Sequence, residues 1–149
     1  MQNHIFGYIC PMGRIMAIDY GTKRVGIAVT DPNKIIATAL DTVHSKDIID
    51  YLKKYFISQE VEMVVVGEPR QMDNTASDVT PHVERFVVAF KKAFPEMSVA
   101  RFDERFTSKM AEQAIRMSGV KKMERRNKSL VDQTSAVIIL QSYMNANQI

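Results

Sequence analysis

The chain has 149 residues, of which 46% are apolar and 25% are charged, as expected for one globular domain with a sizeable core. Its single cysteine, Cys10, excludes an internal disulfide and favours a reducing compartment, so we expect a cytoplasmic protein. The net charge of +3 suits a phosphate-bearing partner without identifying one, and no apolar run approaches the roughly 20 residues that a membrane span needs.

We interpret residues 1–13 as an N-terminal extension without a function. Its apolar run, Ile5 to Cys10, is short and lacks the basic leader of a secretion signal. Met12 or Met16 could equally be the first residue of the protein. One domain is then expected to span residues 14–145.

Three strands are predicted at the start of this domain. Arg14–Tyr20 and Val25–Thr30 are short β-prone runs, and the glycine-bearing turn at residues 21–23 joins them into an antiparallel hairpin. The turn chemistry of residues 31–33 then leads into a third strand over Ile35–Leu40.

The pattern then changes to helical spacing. Ser45 is expected to cap a helix whose apolar positions are Ile48, Ile49, Leu52, Tyr55 and Phe56. A strand over residues 63–66 ends at Gly67, and its continuous apolar run is typical of a strand covered on both faces. The next helix begins near Pro81 and stops at Pro95, with apolar positions at Val83, Phe86, Val87, Phe90 and Phe94.

The fifth strand and another helix come next. Ser98–Phe102 is predicted as the strand, and Thr107 or Ser108 is expected to cap the helix. Gly119 supplies the left-handed residue that ends it.

The end of the chain completes an α/β pattern. A basic loop covers residues 121–128, and Ser129 begins a last helix with an apolar stretch at residues 136–140. The order of elements predicts a mixed five-stranded sheet flanked by helices, with an antiparallel meander of three strands followed by parallel strands.

Carboxylates occur where such sheets bind ligands, at the carboxyl ends of strands. Asp19 follows the apolar part of the first strand, where partial burial of its charge favours a cationic partner such as a divalent metal. Lys23 and Arg24 add positive charge that suits phosphate oxygens, and Gly26 indicates another close approach. The alternative is an aspartate that only accepts amide hydrogen bonds within a turn.

Two later segments supply further carboxylates. Asp103 and Glu104 follow the fifth strand with Arg105, and spacing does not choose between the two acids, which could also form only a surface salt bridge. Asp132, three residues after Ser129, either completes a capping box or points toward the carboxyl edge of the sheet. Three carboxylates from separate segments suit two divalent cations, Mg²⁺ or Mn²⁺, that cleave a nucleic-acid backbone.

Several sequence blocks together resemble the YqgF family, also called RuvX, whose members are described as pre-16S ribosomal RNA nucleases or Holliday junction resolvases. The blocks are residues 18–28 (IDYGTKRVGIA), 66–69 (VGEP), 103–108 (DERFTS) and 132–136 (DQTSA) with 139–141 (ILQ). They occur in the family's order and with similar spacing. Together they cover nearly everything from Arg14 to Tyr143.

The resemblance implies a ribonuclease H-like fold and a metal-dependent endonuclease. The implied catalytic metal ligands are Asp19, Glu104 and Asp132, with Asp103 as the alternate for the middle ligand, and the implied phosphodiester contacts are Lys23, Arg24 and Arg105. The implied substrate is the 5′ end of the pre-16S ribosomal RNA or, alternatively, a four-way DNA junction. A junction resolvase would need two sites and hence a homodimer, whereas a monomer could trim RNA.

Two positions depart from the family pattern. Glu68 stands where the family usually has an apolar residue, and Asn74 lies near an expected glycine. Asparagine can adopt the left-handed conformation that glycine would supply. Glu68 adds a charge near the expected phosphate path, so substrate preference is the property that it affects.

Two other functions are compatible with the residues. In a nucleic-acid-binding module the carboxylates would cap turns, and the basic loop at residues 121–128 would supply salt-sensitive affinity. An ATPase of the actin and sugar-kinase kind has an Asp-x-Gly-Thr phosphate turn like residues 19–22. Its nucleotide lies between two such domains, however, and this chain has the length of one.

Overall fold

A computed structural model describes residues 13–68, 80–103 and 128–149 of the chain. The predicted helix that Gly119 ends and nearly all of the N-terminal extension lie outside these residues, as does the basic loop up to residue 127. Within the described part of the chain, no helix has both the length and the apolar character that crossing a membrane requires.

The sheet has the predicted mixed arrangement. Its strands are β1 (Arg14–Tyr20), β2 (Arg24–Thr30), β3 (Ala37–His44), β4 (Val61–Glu68) and β5 (Ser98–Asp103). They lie in the order β3-β2-β1-β4-β5. The pairs β1/β2 and β2/β3 are antiparallel, whereas β1/β4 and β4/β5 are parallel. The predicted meander and the later parallel strands are therefore confirmed.

Helices cover both faces of the sheet. They are α1 (Ile48–Ser58), α2 (Thr80–Ala93) and α3 (Lys128–Ala146). One buried cluster joins α1 and α2 to alternate residues of the sheet, and a second cluster joins α3 to the residues of the opposite face. The face under α3 includes two small residues, Ala17 and Ala28, which pack in the same cluster as Ala136 of the helix. Small residues at such a contact let a helix approach the sheet closely.

Aromatic rings form the centre of the cluster beneath α1 and α2. Phe90 is fully buried, and its ring centroid lies 5.9 Å from that of Phe86 and 4.9 Å from that of Phe94 on the same side of α2. Phe56 at the end of α1 meets Phe90 edge to face at 6.4 Å. These rings anchor both helices to one face of the sheet.

The third strand begins later than the sequence predicts. Residues 35 and 36, predicted as strand, belong to a turn in which Asp31 Oδ1 accepts the N–H of Ile35 at 2.7 Å and that of Ile36 at 2.9 Å. The hydrogen bond from Ile36, and then that from Ile35, lowers the pKa of Asp31. Both isoleucine side chains are exposed, at 67% and 62%. The prediction was wrong here because apolar β-branched residues were read as strand, whereas the Asp31 carboxylate holds their backbone in the turn.

The start of α1 also differs from the prediction. Ser45–Asp47 forms a 3₁₀ turn and α1 begins at Ile48, so Ser45 does not cap it. Instead the Ser45 hydroxyl donates to the carbonyl of Thr22 at 2.6 Å, and its N–H donates to the carbonyl of Lys23 at 3.1 Å. The 3₁₀ turn therefore fixes the turn between β1 and β2.

Candidate metal and nucleic-acid site

A tight turn between β1 and β2 presents two cations at the end of the sheet. The N–H of Gly21 donates to the carbonyl of Arg24 at 2.9 Å, and a Cβ at Gly21 would lie only 2.6 Å from that oxygen. A residue without a Cβ is therefore needed to close the turn. Lys23 and Arg24 are exposed there, at the end of β1 that carries Asp19.

Asp19 lies on the face of the sheet that α3 covers. Ile15 and Ala17 belong to the buried cluster beneath α3, and side chains alternate along a strand, so Asp19 shares their face. Its register partner on β2 is Gly26. Gly26 in turn lies two residues before Ala28, which belongs to the same cluster. The half-buried Asp19 is thus placed beside Gly26 on the α3 side.

Gly26 is the point at which α3 meets this end of the sheet. A Cβ at Gly26 would collide with the carbonyl oxygen of Asp132 and would lie 3.1 Å from the Asp132 Cβ. Because Gly26 is also paired with Asp19, it brings the first and last predicted metal ligands together. The sequence indicated a close approach at Gly26, and the approaching group is the backbone of α3.

The Asp132 carboxylate is paired with Arg24. The Arg24 Nε donates to Asp132 Oδ2 at 2.8 Å, and the two side chains are 42% and 22% exposed. The sequence assigned Arg24 to phosphate and gave no sign of this contact, because nothing in local spacing links residues 108 positions apart.

The acidic residues that end β4 and β5 lie on the opposite face. Glu68 shares its face with Val66, which packs beneath α1 and α2. Asp103, the register partner of Glu68, shares its face with Arg101. The Arg101 guanidinium donates to Glu84 of α2 at 2.9 Å, which lowers the pKa of that carboxyl. The Glu68 side chain is therefore on the face opposite to that of Asp19 and Asp132.

The other predicted site residues cannot be placed in this way. Glu104, Arg105 and the departure at Asn74 lie outside the described residues. Of the predicted set, Asp19, Arg24 and Asp132 come together around Gly26, and Lys23 lies on the adjoining turn.

This donor set fits a divalent cation. Asp19 and Asp132 bring carboxylate oxygens to one face of the sheet, and oxygen donors are the ligands that Mg²⁺ and Mn²⁺ prefer. Among residues 13–68, 80–103 and 128–149, no three acidic, histidine or cysteine side chains lie close enough together to hold a metal. The third ligand that the sequence predicts, Glu104, is not among those residues.

Comparison with known proteins identifies the family. The sequence profile of the RuvX family, described as Holliday junction resolvase, matches residues 13–146. The chain belongs to the RuvX family. The matched part of this RuvX-family chain contains the site at Asp19 and Asp132 as well as residues 104 and 105.

Bacterial relatives match over nearly their whole length. A protein from Christiangramia forsetii is 53% identical over 133 residues, which cover 89% of this chain and 98% of the relative. A protein from Porphyromonas gingivalis is 49% identical over 134 residues, which cover 90% of this chain and 97% of the relative. Both carry the provisional name pre-16S rRNA nuclease.

Two solved structures with the same fold are those of junction resolvases. The fowlpox virus resolvase, solved with Holliday junction DNA, superposes with a TM-score of 0.55 at 13% identity and covers 91% of this chain and 99% of its own. RuvC from Thermus thermophilus, solved with a Holliday junction substrate, gives a TM-score of 0.52 at 15% identity, covering 91% of this chain and 96% of its own. The predicted ribonuclease H-like fold of this RuvX-family chain is confirmed.

Proposed function

We propose that this RuvX-family chain is a metal-dependent endonuclease that hydrolyses phosphodiester bonds at the 5′ end of the pre-16S ribosomal RNA. The observation that carries the proposal is the meeting of Asp19 and Asp132 at Gly26, next to the cationic turn of β1 and β2. The domain proposed to hold this activity is residues 14–145, acting in the cytoplasm.

The choice of RNA rests on the relatives. Proteins 53% and 49% identical to this chain are named, provisionally, as pre-16S rRNA nucleases, and the alignments leave almost none of their length unmatched. Cleavage of four-way DNA junctions is the second candidate, and the family description as Holliday junction resolvase favours it. The two activities share one chemistry, so the same carboxylates would serve either substrate.

The side chains have separate parts in the proposed reaction. Asp19, Asp132 and a third carboxylate supply the oxygen atoms that hold Mg²⁺ or Mn²⁺. When bound, the cations lower the pKa of a water and stabilise charge on the phosphate and the leaving oxygen. Lys23 and Arg24, exposed on the turn, attract the nucleic-acid backbone to the carboxylates, and Arg105 is proposed to add a further contact.

Glu104 is proposed as the third carboxylate in preference to Asp103. The alternation along β5 supports this choice, because Asp103 shares the α2 side of the sheet with Arg101. Asp103 therefore lies on the face opposite to that of Asp19 and Asp132, which leaves Glu104 as the preferred candidate.

A cleavage assay with matched substrates tests the proposal. Labelled 5′-extended pre-16S rRNA, unstructured RNA and a four-way DNA junction are incubated with Mg²⁺ or Mn²⁺ and wild-type protein, Asp19→Asn or Asp50→Asn. Asp50 is exposed on α1 and serves as the control for loss of one carboxylate.

We expect the wild type and Asp50→Asn to cleave the precursor, and Asp19→Asn to lose about 100-fold or more of the rate. Binding of RNA by Asp19→Asn should persist or strengthen, because a negative charge facing phosphate is removed. Cleavage by Asp19→Asn at the wild-type rate would overturn the catalytic assignment. Retained binding without cleavage of any substrate by the wild type would instead favour a binding module.

A further inference from the structure

We propose that Arg24 is a built-in competitor of the metal: its guanidinium neutralises Asp132 in the metal-free protein and is displaced toward the substrate phosphate when a divalent cation binds. This inference rests on the proposed metal site. Arg24 would then do more than contact phosphate. Its ion pair with Asp132 would lower the affinity of the site for the metal.

The competition is inferred from the contact between Arg24 and Asp132. The Arg24 Nε donates to Asp132 Oδ2 at 2.8 Å, which is the length of a charge-assisted hydrogen bond. A divalent cation held by Asp132 draws on the same negative charge that this hydrogen bond uses. The cation and the guanidinium would also repel one another at such a separation, so each weakens the binding of the other to Asp132.

The Arg24 side chain can leave Asp132 without a movement of the backbone. The Asp132 carbonyl packs against Gly26 so closely that a Cβ there would collide with it, and this contact holds the backbone of Asp132 at the sheet. Arg24 is 42% exposed, and its long side chain can leave Asp132 without disturbing the core. Replacement of Arg24 by a cation at Asp132 therefore requires the movement of one side chain.

Displacement gives the guanidinium a second partner. Arg24 stands at the exposed end of β2, one residue after Lys23. An arginine released beside a bound cation is placed to form paired hydrogen bonds with the oxygens of a phosphodiester. Metal binding would thereby move Arg24 from its ion pair with Asp132 to a contact with the nucleic-acid backbone.

Metal affinity measured without substrate tests this exchange. Mn²⁺ is titrated into wild type, Arg24→Gln, Arg24→Lys, Lys23→Gln and Asp132→Asn, and the free ion is followed by electron paramagnetic resonance. We expect Arg24→Gln to raise Mn²⁺ affinity about threefold to fivefold, the upper part of the range set by the strength of a partly exposed ion pair. Arg24→Lys keeps the charge and should stay within about twofold of wild type.

Lys23→Gln is the matched control, because it removes the same charge from the neighbouring exposed residue. Its affinity should change by less than about twofold, since a solvated charge acts weakly over distance. An equal gain in Mn²⁺ affinity in Arg24→Gln and Lys23→Gln would overturn the inference, because it would show a general effect of net charge. Unchanged affinity in Arg24→Gln, with binding abolished in Asp132→Asn, would overturn it while leaving the metal site intact. Absence of Mn²⁺ binding in both wild type and Arg24→Gln would overturn the metal site as well.

A spectroscopic measurement on the wild type keeps the test independent of folding in the variants. The Nε–H group of Arg24 gives its own signal in ¹⁵N–¹H spectra, which is assigned by its loss in Arg24→Lys. Addition of Mg²⁺ should move this signal toward the position of a solvated arginine. A signal that keeps its position when Mg²⁺ saturates the protein would overturn the inference.

Discussion

The carbonyl oxygen of Asp132 occupies the space that a side chain at Gly26 would need. This contact determines how closely α3 approaches β2 and therefore how far the Asp132 carboxylate lies from the sheet. Because Asp19 is the register partner of Gly26, the same contact determines the spacing between the two carboxylates.

Gly26→Ala should therefore damage stability and metal binding together. The added methyl group meets backbone atoms of Asp132, which cannot rotate away as a side chain could. We expect a loss of about 1–3 kcal/mol in the free energy of unfolding, the usual result of overpacking. Urea denaturation measures the loss, and a Mn²⁺ titration of the folded variant should show weaker binding. Ala39→Ser, at an exposed position of β3, is the control, and equal stability of the two variants would contradict the contact.

Asp103 and Glu104 should differ sharply in their effect on cleavage. Glu104→Gln is expected to reduce the rate about 100-fold or more, as loss of a metal ligand does. Asp103→Asn should retain most of the activity, because Asp103 shares its face with Arg101, on the side covered by α2. Each variant removes one neighbouring negative charge, so each is the control for the other. The opposite ranking in a precursor-cleavage assay would make Asp103 the middle ligand.

Stability should fall in acid partly through Asp31. Hydrogen bonds from the backbone of Ile36 and Ile35 lower the pKa of Asp31 in the folded protein. A lowered pKa means that its stabilising effect is complete above the unfolded value of about 3.9 and is lost as the pH falls through the folded value. Thermal unfolding measured from about pH 6 downward should show that Asp31→Asn loses less stability in acid than the wild type does.

Glu96→Gln is the control for this measurement, since Glu96 is an exposed carboxylate in the loop before β5. Glu96→Gln should lose as much stability in acid as the wild type does. An identical pH dependence in wild type and Asp31→Asn would show that the turn at Asp31 contributes nothing to acid sensitivity.

Substitutions at two residues of α2 should show how much the aromatic cluster contributes to the free energy of unfolding. Phe90 is fully buried, whereas Val88, on the same helix, is 66% exposed. Phe90→Ala should cost about 3–5 kcal/mol of unfolding free energy, because it leaves a cavity among three other phenylalanine rings. Val88→Ala should change it by less than about 0.5 kcal/mol. Chemical denaturation of both variants provides the measurement, and similar losses would contradict the packing.

The sequence predicted the fold where hydrophobic periodicity was strong. The alternation from strand to helix after residue 45 and the helical spacing around Phe90 are confirmed. The error at Ile35 arose because its placement depends on hydrogen bonds to the Asp31 carboxylate, which outweigh strand propensity. Ser45 was misread for a similar reason, since its hydroxyl bonds to the carbonyl of Thr22.

The candidate site was predictable in part. The position of Asp19 at a strand end and the glycine at residue 26 were visible as local signals, and both belong to the site. The ion pair of Arg24 with Asp132 was not, because it joins two segments that only the packing of α3 on β2 brings together. The opposite faces of Asp19 and Asp103 likewise needed the register of the sheet, since a shift of one residue reverses the face.

The location of Asp132 on α3 has a consequence for the order of assembly. Asp19 is synthesised early, but Asp132, which completes the candidate site, lies on α3, 108 residues after Arg24. A chain still emerging from the ribosome has no means of joining the two carboxylates until Lys128–Ala146 has been released and has packed over β2. The two carboxylates are thus kept apart until α3 has been synthesised, and the candidate site can form only after that helix has packed on the sheet.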